Sequence, residues 1–195
     1  HKEYRRQRQM CIRDRGPLGL LATSAVLAIV GLYLLSSASG LAMIFVFATL
    51  YGFGKTFFWP TTLGVVSEQC PKGGALTLNA IAGIGMLAVG ILGGPVIGKM
   101  TEDSIKASVE EATSADTYQK ISNDSTYFLG DYTAVDTSKI GDLPEEEQTK
   151  VQASMQTGKQ GSLASVAIFP VFMLACYLAL IFYFKGRGGY KPVEI

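Results

Sequence analysis

The chain is poor in the residues that most catalytic and metal chemistry needs. It has one histidine, His1, and three cysteines, Cys11, Cys70 and Cys176, far apart and without paired spacing. Neither a disulfide framework nor a metal site is suggested by that pattern. A His/Cys/Asp cluster, a phosphate-cradling loop and a credible nucleophile–base pair are all missing from the sequence. An enzyme is therefore the weakest function class, and no catalytic residue or cofactor is expected. A long basic stripe on a foldable element is missing too, which makes nucleic acid a poor partner. Charge is scarce, at 17% of residues with a net of +1, and it is segregated. Bases crowd the first fifteen positions and the tail, and acids crowd residues 102–147.

What is abundant is apolar. Hydrophobic residues make up 48% of the chain, the mean hydropathy is +0.27 and there are 22 glycines. That composition points to a lipid bilayer as partner rather than to a soluble domain. Apolar runs lie at about 17–37, 41–66, 75–98 and 163–185. A helix needs ~20 residues to cross ~30 Å of hydrocarbon, and each run reaches that. The expected fold is an all-α membrane protein of four transmembrane helices with a long extracytoplasmic loop. Lys72 between the second and third runs, and Lys185, Arg187 and Lys191 after the fourth, put that short loop and the tail, 186–195, in the cytoplasm. The expected location is the cell inner (plasma) membrane.

Residues 1–15, HKEYRRQRQMCIRDR, have no apolar period and no signal-peptide core. The string RRQRQMCIRDR resembles translated adaptor sequence, and the segment is set apart from the fold; the rival reading is a native cytoplasmic basic segment. The loop 99–162 is acidic and polar. TEDSIKASVEEA reads as a short helix. Asp142 or Pro144 opens another that runs toward Gln156, with Glu145, Glu146 and Glu147 in its first turn. The plain reading of the loop is a solvated insertion over the outer mouth; the sharper one is a substrate-capturing lid. Asn123-Asp124-Ser125 matches a glycosylation sequon by pattern only.

The second run is the unusual one. Lys55 is the only charged residue in the interior of any apolar run. An ammonium at mid-membrane costs at least ~2.5–3.5 kcal/mol, and such groups face a cavity or a partner. Helical spacing puts Tyr51, Lys55, Phe58 or Trp59, and Thr62 along one face. Tyr51 and Trp59 can stack on a ring of a solute while their polar edges hydrogen-bond; for Phe58, ordinary helix packing is the better reading. Pro60 removes the bond to the Thr56 carbonyl, and Gly52 and Gly54 permit bending a turn earlier. In the third run Gly90, Gly94 and Gly98 form a small-residue ridge for close helix packing, and Gly94-Pro95 is a weak point. Asn79 either hydrogen-bonds across helices or sits at the interface. The first and last runs are plain and read as lipid-facing.

GKTFFWPT, SEQCPKGGALTLNA, GIGMLAVGILGGPVIG and the closing GGYKPVEI resemble the major facilitator superfamily of twelve-helix secondary transporters, in a bacterial sugar-permease-like branch. The resemblance covers about Gly16 to Ile195 and implies that the four runs are helices nine to twelve. The first eight would then be missing partners of the same protein. It also implies that the tenth helix, carrying Lys55, lines the central cavity, while the ninth and twelfth are peripheral. The Gly90–Gly98 pattern is similar to the glycine-proline motif of drug antiporters. Lys99 stands where that motif has another glycine, so drug export is not carried over.

The function expected is part of a secondary transporter moving a small polar organic solute, a sugar or an organic anion, by alternating access. The alternative is a small four-span scaffold or binding protein with an extracytoplasmic loop domain.

Overall fold

The computed structural model describes residues 16–127 and 130–193. The basic segment 1–15 lies outside the described residues. Helix dominates. Helix α1 is Gly16–Ser36, α2 Leu41–Thr56 and α3 Phe58–Gln69. A 3-10 turn at Pro71–Gly73 leads to α4, Gly74–Ala88, a π-helical turn at Val89–Gly93 and α5, Gly94–Ala112. After α6, Ala115–Ile121, come strands β1, Ser122–Tyr127, and β2, Gly130–Val135, then α7, Thr137–Ile140. Helices α8, Glu145–Val166, and α9, Ile168–Gly186, complete the order.

Four helical runs are long and apolar enough to cross a membrane: Gly16–Ser36, Leu41–Gln69, Pro71–Ala112 and Glu145–Gly186. The last two are 42 residues each. The boundaries expected at Gly98 and Leu163 therefore fall inside continuous helix. Lys99 is the first charged residue after the apolar run 75–98, and Lys159 the last before the run 163–185.

The chain divides into two compact units. One takes in the chain up to Leu34, Ala38–Ile84 and the chain from Ala167 on. In it, α1 is the most enclosed of the four apolar runs. Leu18, Leu21, Ala25, Ala28 and Leu32 are buried at alternating spacings of three and four, with Ser24 and Gly31 beside them. While Val26, Val30 and Tyr33 on the rest of α1 are exposed, this one face is covered. Small residues explain how. A methyl group placed on Gly54 would come within 2.8 Å of the Ala28 amide nitrogen, and one on Gly31 within 2.8 Å of Tyr51 Cα. Helices α1 and α2 thus approach backbone to backbone, the small-residue contact that apolar helices use for close packing.

The other unit, Leu35–Ser37 and Gly85–Val166, has its own apolar core. Ile105 and Val109 of α5, Tyr118 and Ile121 of α6, and Val151 and Met155 of α8 are buried together, with Ile140 joining them. Burying each large apolar side chain contributes ~1.5–3 kcal/mol. Gly158 lets α8 lie against α5; a methyl there would meet Ile105 Cα at 2.6 Å. Ser114 caps α6 by accepting the Thr117 amide at 3.2 Å, and Asp136 caps α7 by accepting the Ser138 amide at 3.0 Å.

Strands β1 and β2 pair antiparallel from Ser122↔Val135 to Tyr127↔Gly130. This hairpin departs from the all-α expectation. Glu102 of α5 fastens it by accepting the Val135 amide at 3.3 Å, and the Tyr118 hydroxyl donates to the Thr133 carbonyl at 3.4 Å. Residues 99–162 thus hold the two expected helical stretches together with a hairpin, around a core of their own. The sequon asparagine is occupied: Asn123 Nδ2 donates to Asp136 Oδ2 at 2.8 Å, and its Oδ1 accepts from Lys139.

Candidate functional site

Lys55 is fourteen residues from either end of the run Leu41–Gln69. That is ~21 Å of helix on each side, more than half of a ~30 Å core, so Lys55 sits near mid-depth of that run. Its side chain is exposed. The ion pairs found among the described residues are Lys106–Glu110 and Lys150–Glu146, and neither includes it.

The helix breaks beside it. Pro60 offers no N–H to the Thr56 carbonyl, and Phe57 leaves the helix at φ −84°, ψ −13°. The Thr61 amide picks up the Phe57 carbonyl at 3.3 Å and α3 resumes. The Thr56 hydroxyl bonds back to the Gly52 carbonyl at 2.8 Å, and Thr62 to that of Phe58 at 2.7 Å. Such back-bonding favours a bent helix.

The predicted face is divided by packing. Tyr51 lies against Gly31 of α1. Phe58 is half-buried, its ring 6.3 Å from that of Tyr177 in α9. Thr62 is half-buried as well. Lys55 and Trp59 are the two exposed members, with Trp59 47% exposed. Of the two glycines, Gly54 is a packing residue and Gly52 stands in open space.

The glycine ridge of the third run has no close neighbour. A methyl on Gly90 or Gly98 would meet nothing within 4 Å, and one on Gly94 only Val89 of its own helix. Pro95 follows the π turn, where the Gly94 amide reaches back to the Val89 carbonyl. The close approaches that do occur use Gly31, Gly54 and Gly158. Of these, Gly31 with Ser24 and Ala28 was readable as a small-residue stripe in α1. A second break was readable too: Ala167, at φ −60°, ψ −13°, stands three residues before Pro170, as Phe57 does before Pro60.

On the second unit, α5 and β2 enclose a groove of about 640 Å³. Gly94 and Gly98 floor it, Lys99, Glu102 and Asp103 supply its charge, and Tyr132 stands on the β2 side. No protein-family model, curated protein or solved structure matches the chain. The resemblance to facilitator transporters therefore stands on the residues that carry it.

Proposed function

We propose that the chain is part of a secondary transporter of the major facilitator type, seated in the inner (plasma) membrane with its C-terminus in the cytoplasm. It moves a small polar organic solute, a sugar or an organic anion, by alternating access. The observation that carries this reading is Lys55: a cation at the middle of a 29-residue apolar run, exposed, beside a proline break. Lipid does not tolerate such a group, whereas a water-filled pathway does. Trp59, also exposed, adds a ring for stacking. Helices of the same protein outside this chain supply the rest of the pathway. Lys55 holds an anionic group of the solute or pairs with a carboxylate on those helices. The test is uptake by the native-length protein carrying Lys55→Ala, with membrane insertion checked in parallel. Lost or redirected uptake supports the reading, and wild-type uptake sinks it.

The independently cored outer unit favours a second reading, a four-span scaffold whose work is done by residues 99–162. Uptake unaffected by Lys55→Ala, together with a partner captured by that unit, would support it.

A further inference from the structure

In the membrane reading of the third run, the groove between α5 and β2 falls at headgroup depth. Lys99 is the first charged residue after the apolar run 75–98, which in the membrane reading puts it at that run's water boundary. Just before Lys99 the groove is lined by Gly94 and Gly98, which carry no side chain, and by Pro95 and Val96. A glycerol backbone and the first acyl carbons fit such a bare apolar surface. Above it the charge is mixed. Lys99 and Asp103 are one helical turn apart, both are exposed, and neither belongs to the ion pairs found among the described residues. Glu102 adds a second carboxylate, fixed in place by the Val135 amide at 3.3 Å. Tyr132 supplies an aromatic ring with a hydroxyl, the side-chain type that favours headgroup depth.

We infer that this groove binds one zwitterionic phospholipid with a primary ammonium, in the leaflet on the side of the folded outer unit. Lys99 meets the phosphate. Asp103 and Glu102 meet the ammonium, whose three N–H donors suit carboxylate acceptors better than a methylated choline does. With two carboxylates to one lysine, an anionic headgroup that lacks the ammonium is disfavoured. The inference rests on the membrane reading of the third run, and it is independent of which solute is transported.

The test is native mass spectrometry of the native-length protein, delipidated in detergent and titrated with phosphatidylethanolamine, phosphatidylcholine or phosphatidylglycerol. Detergent extraction from isolated membranes checks membrane insertion separately. The ethanolamine lipid is expected to bind about two- to fivefold more tightly than either other lipid, the size of one exposed charge pair. Lys99→Ala and Asp103→Asn should each remove about that factor, while Lys120→Ala on α6, outside the groove, should leave it unchanged. Val96→Trp, which fills the groove from its floor, gives a second route to the same loss. Equal binding of the three lipids, or binding indifferent to all the groove variants, would overturn the inference.

Discussion

The hydroxyl of Tyr190 donates a 2.8 Å hydrogen bond to Oε2 of Glu68, 122 residues earlier in the chain. Around it the tail is tied to the end of α3. The Val193 amide donates to the Glu68 carbonyl at 2.9 Å, and Gln69 Nε2 to the Lys191 carbonyl at 3.0 Å. The tail turns back through Gly188 and Gly189, at φ +88° and +98°, a region that favours glycine. The Tyr190 ring meets that of Phe184 edge-on at 5.1 Å. The ends of the second and fourth runs are thereby joined.

Tyr190→Phe keeps the ring contact and removes the hydrogen bond. The tail should loosen by about 1 kcal/mol, the net worth of one such bond. Trypsin cleavage after Arg187 should speed up several-fold in the folded protein, as read by mass spectrometry of the released peptide. Unchanged cleavage would mean that the tail is held by its backbone bonds alone.

The same contact sets a pH dependence. Burial above all, with the Glu68 carboxylate adding to it and a hydrogen bond with Gln69 partly opposing both, pushes the Tyr190 hydroxyl up to about 12. A raised value favours the protonated form in the folded state. The stabilisation is therefore complete below ~10, where the free tyrosine begins to ionise, and is lost as pH rises from there toward about 12. Hydrogen exchange at Val193 should show tail release in that window, and Tyr190→Phe should abolish the pH step.

Glycine substitutions separate close packing from mere spacing. Gly54→Val should disrupt the α1–α2 contact at Ala28, whereas Gly52→Ala should be tolerated. In the second unit, Gly158→Ala drives a methyl into the Ile105 backbone and should destabilise it by ~1–3 kcal/mol. Gly161→Ala meets nothing and should stabilise by ~0.5–1 kcal/mol. Thermal unfolding of the two α8 variants gives opposite signs if the packing is as described.

Much of this fold is written in local pattern. The apolar runs are legible because lipid demands length and apolarity, and the Phe57 break because Pro60 lacks an N–H. The Ala167 break obeys the same rule at Pro170 and was hidden by reading the last run as plain. The glycine ridge at Gly90, Gly94 and Gly98 shows the limit of spacing: it states that a helix can come close, not that one does. The hairpin is poorly legible because SNDSTY and GDYTAV carry few apolar residues to alternate. Its position comes from Tyr118, Glu102 and Val135, contacts distant in sequence. The tail clasp is invisible for the same reason, since nothing local links Tyr190 to Glu68. At the candidate site, composition singles out Lys55, while only packing divides Tyr51 and Phe58 from Trp59.

The proline breaks have a mechanical consequence. Pro60→Ala restores an amide to the Thr56 carbonyl and should straighten α2 into α3, as Pro170→Ala should join α8 to α9. Spin-label distances across each break should lengthen and narrow. If the break beside Lys55 serves transport, Pro60→Ala should slow uptake while leaving insertion intact.

The account turns on Lys55 facing water at mid-membrane. The most direct measurement is the reaction of Lys55→Cys, in native-length protein whose own cysteines are changed to serine, with a membrane-impermeant thiol reagent in intact membranes. The account predicts labelling of the folded protein, from at least one side of the membrane, that a transported solute suppresses. Labelling that appears only after the protein is unfolded would place the side chain in lipid and contradict it.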